Sequence, residues 1–162
     1  MNKDDIYKLL QNQKIWHRIT EHPAVYNMTE LENIELPYPN CDAKNLFVRD
    51  DKRQNFYLIS IKPNKKINLK EFRKEHGTRP LTFASEQDLL DVINLYPGAV
   101  TPFGLLNDQN LKVSFYLDED FLKNSQIIGV HPNDNTATLW VKTGDLINLI
   151  KNHGNQVTIT KF

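Results

Sequence analysis

Leu46-Phe47-Val48 and Phe56-Tyr57-Leu58-Ile59-Ser60-Ile61 are apolar runs separated by the charged stretch Asp50-Asp51-Lys52-Arg53-Gln54, and two such runs about a polar turn read as a β-hairpin. A Lys-Asn pair, Lys44-Asn45, stands at the mouth of the first strand, where a solvated strand end is the plain explanation. The elements around the hairpin follow no regular alternation. A first helix is expected from Lys3 to Gln13, with Ile6, Leu9 and Leu10 on one face, then a strand over Ile15 to Glu21. Asn27 and Glu30 have the spacing of a capping box and suggest a short helix into Leu31. Asn68 with Glu71 starts another helix, which Gly77 ends, and Ser85 with Asp88 opens a third through Leu89, Leu90, Val92 and Ile93. "LTFA", "LKVSFYLD", "IIGVH", "TATLWVK" and "QVTITKF" read as strands, and "GDLINLIKNHG" as a C-terminal helix. Strands outnumber helices in a mixed order, so the expected class is a mixed-sheet α/β or α+β domain and not a doubly wound nucleotide fold.

At 162 residues the chain suits one domain over 1–162 and buries enough surface to need no disulfide or metal. A lone cysteine, Cys41, forbids an internal disulfide and suits a reducing cytoplasm. The N-terminal "MNKDDIYKLLQNQK" lacks the apolar core of a signal peptide, and no run approaches the length of a membrane span, so the expected location is cytoplasmic with no membrane partner. Formal net charge is zero, which argues against broad wrapping of a nucleic-acid duplex. Between Lys62 and Arg79, however, seven Lys/Arg face only Glu71 and Glu75, either a solvated helix with its connections or a patch that meets phosphates.

Most familiar chemistry is missing. There is no Gly-rich phosphate fingerprint and no G-x-S-x-G elbow. His17, His22, His76, His131 and His153 show no metal spacing with one another or with Cys41, so neither a metal nor a cofactor is expected. Two loops are less ordinary. In "PGAVTPFG", Gly98 and Pro102 stand G-x-x-x-P with Gly104 close behind, a pattern that lets backbone approach a ligand on a stiffened loop. In "GVHPNDNTATL", His131-Pro132 ends an apolar strand and Asn133-Asp134-Asn135 turns the chain.

"KNLFVRD", "PGAVTPFGLLND" and "GVHPNDNTATL", with "EHPAVYN" and "LTFASEQDLLDVI", fall in the order and approximate spacing of the YbaK/ProX family of aminoacyl-tRNA editing domains. The chain resembles that family from about Asp5 to Ile159, and within it most resembles the free-standing prolyl-tRNA editing branch. The resemblance implies a mixed β-sheet, barrel-like core with surrounding helices, and hydrolysis in trans of a mischarged aminoacyl ester, Ala-tRNA(Pro). The tRNA acceptor (CCA) end would be the partner, and prolyl-tRNA synthetase a further one. A deacylase for Cys or Ser, and a non-catalytic tRNA- or synthetase-binding module, stand as alternatives. On this resemblance Lys44 supplies positive charge to a phosphate or ester oxygen, and Asn45 reads a ribose hydroxyl. Gly98 brings loop backbone to the aminoacyl group, and Thr101, Pro102 and Phe103 help close the wall. His131 hydrogen-bonds substrate or water, with a general-base role as the weaker alternative. Val25, Tyr26, Asn27 and Met28 bound the substrate side chain; Asn27 stands where the family usually carries Thr.

An activated ester needs no covalent nucleophile, only a held substrate, a polarised carbonyl and a placed water. Cys41→Ser is therefore expected to retain deacylase activity, measured by single turnover; a covalent aminoacyl-enzyme burst lost in that variant would overturn direct attack by water.

Overall fold

In a computed structural model, which describes residues 1–27, 29–30 and 34–162, two open sheets meet along one short seam. The hairpin pairs β2 (Lys44–Asp50) with β3 (Phe56–Ile61), from Lys44 opposite Ile61 to Arg49 opposite Phe56. Its turn is organised by Asp50, fully buried, whose carboxylate accepts from the Gln54 N–H at 2.9 Å and the Asn55 amide at 2.8 Å. Burial alone would raise this acid, but those hydrogen bonds outweigh it and hold its pKa below the usual carboxylate value.

β3 is buried along most of its length. Phe56 and Leu58 face one hydrophobic cluster while Ile59 and Ile61 face another, as the period of two requires. A strand apolar on both faces belongs inside a sheet. β3 accordingly has β2 on one side and, on the other, β5 (Val113–Asp118) in parallel, with β8 (Val157–Thr160) parallel beyond it. β4 (Leu81–Phe83) completes this sheet at the far edge of β2, in the order β4-β2-β3-β5-β8. The second sheet is antiparallel, with β7 (Ala137–Lys142) between β1 (His17–Glu21) and β6 (Ile127–Val130).

The helices start and stop where their caps dictate. α1 (Lys3–Asn12) has a full capping box from Asn2 and Asp5 and sets Ile6 and Leu10 into the larger cluster. α2 (Leu69–His76) is capped by Asn68 and closed by left-handed Gly77, and its Phe72 covers the Ile59/Ile61 face. α3 (Glu86–Ile93) opens on Ser85 and Asp88, and α4 (Thr143–His153) closes on Gly154. The cap foreseen at Asn27 is present, its Oδ1 accepting from the Glu30 N–H at 2.9 Å; Met28 and Leu31 lie outside the described residues. "PFGLLN" departs from the expected loop: Pro102–Asn107 is a 3₁₀ helix whose Phe103 and Leu105 are fully buried.

At the seam, Asp42 bridges Gly129. The Gly129 N–H donates to the Cys41 carbonyl at 2.8 Å, and the Ala43 N–H donates to the Gly129 carbonyl at 2.9 Å. Closure is thus partial: one bridge ties two open sheets where a barrel-like core was expected. Position 129 has no room for a side chain, because a Cβ there would sit 2.4 Å from the Trp140 ring. That ring is fully buried and tethered by Nε1 donating to Thr20 Oγ1 at 3.0 Å. Gly129→Ala is expected to destabilise the chain by about 1–3 kcal/mol in chemical denaturation, the range for overpacked cores. Unchanged stability would mean that the Trp140 ring yields freely.

Candidate functional site

The cleft opens beside the seam. Its volume is about 170 Å³, below the range that encloses a drug-sized ligand, so it suits a small group carried on the end of a larger molecule. Four stretches form its walls, with Thr138 of β7 beside them: residues 25–27, the chain entering β2, the loop before the 3₁₀ helix, and the end of β6.

From β2 come Lys44 and Asn45. The Lys44 ammonium donates to the Lys65 carbonyl at 3.3 Å and has no ion pair among the described residues. The two acids beside Lys65 are already engaged: Lys65 itself bridges Asp118 at 2.9 Å and Asp120 at 2.7 Å. Hydrogen bonding and charge from Lys65 and Lys123 lower Asp120 to about 2, so this partnership persists through the neutral range. Asn45 lies opposite Ser60, whose hydroxyl donates to Asn45 Oδ1 at 2.5 Å, leaving the amide N–H donors for the cleft.

His131 follows directly on β6. Its Nδ1 donates to the Ala137 carbonyl at 2.8 Å, so in the neutral ring Nε2 is the lone-pair acceptor on a residue lining the cleft. Burial, with an opposing contribution from that hydrogen bond and a further lowering by nearby His22, holds its pKa below 6.5. The His22 ring lies 6.1 Å away, with Nδ1 donating to the Pro23 carbonyl and Nε2 3.0 Å from the hydroxyl of Thr138, another lining residue.

Gly98 has φ +90°, a left-handed conformation that favours glycine, and a Cβ there would lie 3.0 Å from the Tyr26 ring. Val25, Tyr26 and Asn27 form the facing wall, Val25 buried and Tyr26 exposed at the rim. Asn135 links this wall to the loop: its Nδ2 donates to the Val25 carbonyl at 2.7 Å and its Oδ1 accepts from the Tyr96 hydroxyl at 3.1 Å.

The cleft therefore brings together Lys44, Asn45, Gly98, His131, Val25, Tyr26 and Asn27. Thr101, Pro102 and Phe103, expected in the wall, lie buried behind it. The physical reason is the 3₁₀ helix, which turns Phe103 into the core, while the Thr101 hydroxyl donates to the His131 carbonyl at 2.6 Å. Thr101 thus braces the histidine from the rear. Sequence reasoning missed Asp42, Thr138 and Asn135. Asp42 was legible in principle, since it stands two residues before Lys44 and an extended chain puts alternate side chains on one face.

Residues 22–149 match the aminoacyl-tRNA editing domain. The chain belongs to this family. Every residue that lines the cleft falls within the matched segment. The chain is 37% identical over 153 residues to the prolyl-tRNA editing protein ProX of Acetoanaerobium sticklandii, covering 94% of this chain and 93% of that one. It is 30% identical over 147 residues to prolyl-tRNA synthetase associated domain-containing protein 1 of Bos taurus, covering 89% and 85%. A solved structure described as a candidate trans-editing enzyme for prolyl-tRNA synthetase superimposes with a TM-score of 0.68 at 20% identity, over 99% of this chain and 96% of that one, and so shares the editing-domain fold.

A histidine with a lowered folded pKa takes its proton less readily than in the unfolded chain, so it withdraws stability as pH falls through 6.5 and has no such effect well above it. His131 is expected to titrate below 6.5 by NMR, neutral and accepting at pH 7. A midpoint above 7 would leave it mostly a cation at that pH, unable to accept a proton from water.

Proposed function

We propose that the chain, as one editing domain, is a trans-acting deacylase that hydrolyses alanine mischarged on tRNA(Pro). The observation that carries this reading is the convergence of an ammonium with no ion pair among the described residues, amide donors, an acceptor imidazole and glycine backbone on one small cleft, in a chain alike over nearly its whole length to a prolyl-tRNA editing protein. The tRNA acceptor end enters as substrate, with Lys44 against a phosphate or ester oxygen and Asn45 donating to a ribose hydroxyl. His131 Nε2 accepts from the attacking water or from a ribose hydroxyl, and the Gly98 backbone orients the ester. Cytoplasm, where such tRNA is charged, is the proposed location, and among the described residues no helix is long and apolar enough to cross a membrane.

Specificity rests on size. A synthetase pocket shaped for proline discriminates against a smaller side chain by only about 10- to 200-fold, and a second pocket too narrow for proline corrects the error. Val25, Ala43, Val100 and Val130 are apolar residues lining that pocket. The Asn27 Oδ1 already accepts from the Glu30 N–H, while its Nδ2 is offered whole to a polar substrate. The basic stretch contributes less than its formal excess, since Lys65 pairs with Asp118 and Asp120 and Arg79 with Asp51 at 2.7 Å. Lys66, Lys70, Arg73 and Lys74 remain to meet acceptor-stem phosphates, and a docked prolyl-tRNA synthetase is the further partner proposed.

The test is single-turnover hydrolysis of tRNA(Pro) charged with Ala, Ser, Cys or Pro. Alanine is expected to leave at least about fivefold faster than proline, the rate equivalent of the smallest overpacking cost of about 1 kcal/mol. Lys44→Ala is expected to abolish most of that activity with stability changed by less than about 1 kcal/mol, since the side chain is only partly buried. Comparable rates on Ala and Pro would sink the size sieve, and a preference for Ser or Cys would reassign the substrate.

A further inference from the structure

We infer that Asp42 is the receptor for the α-ammonium of the bound aminoacyl group, restricting the cleft to esters of free amino acids. This rests on the deacylase reading and extends it to the one substrate charge that Lys44, Asn45 and His131 leave unmatched.

Among the described residues Asp42 is the single carboxylate in the lining of the cleft. Asp42 itself is half-buried; the more deeply buried Asp50, Asp108 and Asp118 are each engaged by their own fold. Asp50 holds the hairpin turn, and Asp108 accepts from the Lys112 and Val113 N–H groups and the Asn155 amide. Asp118 accepts from the Lys62 N–H and the Lys65 ammonium. The Asp42 carboxylate has no ion pair, and no hydrogen bond from another residue, among the described residues; its own backbone N–H is the one donor to it. Lys62 is the cation that acts on it through space, yet that ammonium is committed elsewhere, donating to the Asn40 carbonyl at 2.8 Å and lying 4.5 Å from the centre of the Phe121 ring.

Position completes the argument. The bridge to Gly129 fixes the Asp42 backbone at the seam, and Lys44 follows two residues later, about 6–7 Å along an extended chain and on the same face. An α-amino ester has the complementary pattern, an ammonium one carbon from a carbonyl. Carbonyl or phosphate oxygen toward Lys44 therefore places the ammonium toward Asp42. Burial pushes the Asp42 carboxyl up, against weaker lowering by its own N–H and Lys62, so ionisation is disfavoured in the open cleft and an arriving cation relieves that cost. A site that reserves a desolvated charge for one substrate group rejects an analogue lacking it far more strongly than a methylene difference allows. Esters whose amine is blocked, as in a peptidyl ester, would be spared for this reason.

The experiment compares alanyl-tRNA(Pro) with lactyl-tRNA(Pro), in which a hydroxyl of similar size replaces the ammonium, each rate divided by that ester's spontaneous hydrolysis. The wild-type chain is expected to prefer alanyl by at least about tenfold, as for a charge-assisted pair in a water-poor site. Asp42→Asn, which keeps the shape, is expected to lose most of that preference by slowing alanyl hydrolysis while leaving lactyl hydrolysis within a factor of about three. Equal slowing of both esters would make Asp42 merely structural, and an unchanged preference would place the ammonium elsewhere; either overturns the inference while the deacylase reading survives. Failure of the wild-type chain to hydrolyse either ester overturns both. Thermal melting of Asp42→Asn checks its fold, and affinity for a non-hydrolysable alanylamido-adenosine against its lactyl counterpart reads the same preference without turnover.

Discussion

Two backbone hydrogen bonds at the seam, Gly129 N–H to the Cys41 carbonyl and Ala43 N–H to the Gly129 carbonyl, position everything that follows. They lock the chain entering β2 against the middle of β6, so that Lys44 and Asn45 emerge on one side and Val130 and His131 on the other. Both strands are anchored further along by their own sheets, which leaves the cleft little freedom to widen. The contact exists because residue 129 has no side chain and the Trp140 ring fills the space one would take. Packing in the core and geometry at the site are thus one constraint seen from two sides.

The electrostatic plan has the same economy. Most buried acids are tied down by backbone donors or lysines, which stabilises the folded chain and removes them from chemistry. In the cleft the opposite holds: the Lys44 ammonium rests on a carbonyl, His131 is oriented through Nδ1, and Asn45 through Oδ1. Each keeps its reactive or donating end for a ligand. Such preorganisation lets a site act on an activated ester without a nucleophile of its own.

Much of this was legible in the chain. Asn68 and Ser85 cap the helices they announce, because capping depends on residues three or four apart. The hairpin formed as read, and Lys44, Asn45, Gly98 and His131 stood out in short motifs. The 3₁₀ helix at Pro102–Asn107 was not legible: its burial of Phe103 and Leu105 is decided by a core to which α4, far along the chain, contributes. The same distance hid Asn135, whose partners lie at Val25 and Tyr96, and Asp42, which matters only because Gly129 stands opposite.

The sequence by itself determined the local structure and the inventory of the site, since caps, turns and period-two alternation act over a few residues, and motif order carried the family. Only the tertiary structure decided which of those residues meet. The parallel pairing of β3 with β5 and β5 with β8, the seam at Gly129, the turning of Thr101 to brace His131 and the isolation of the Asp42 carboxylate all join segments separated by dozens of residues. Such contacts depend on how the two hydrophobic clusters close over β3 as a whole, a packing outcome that no single stretch of the chain encodes.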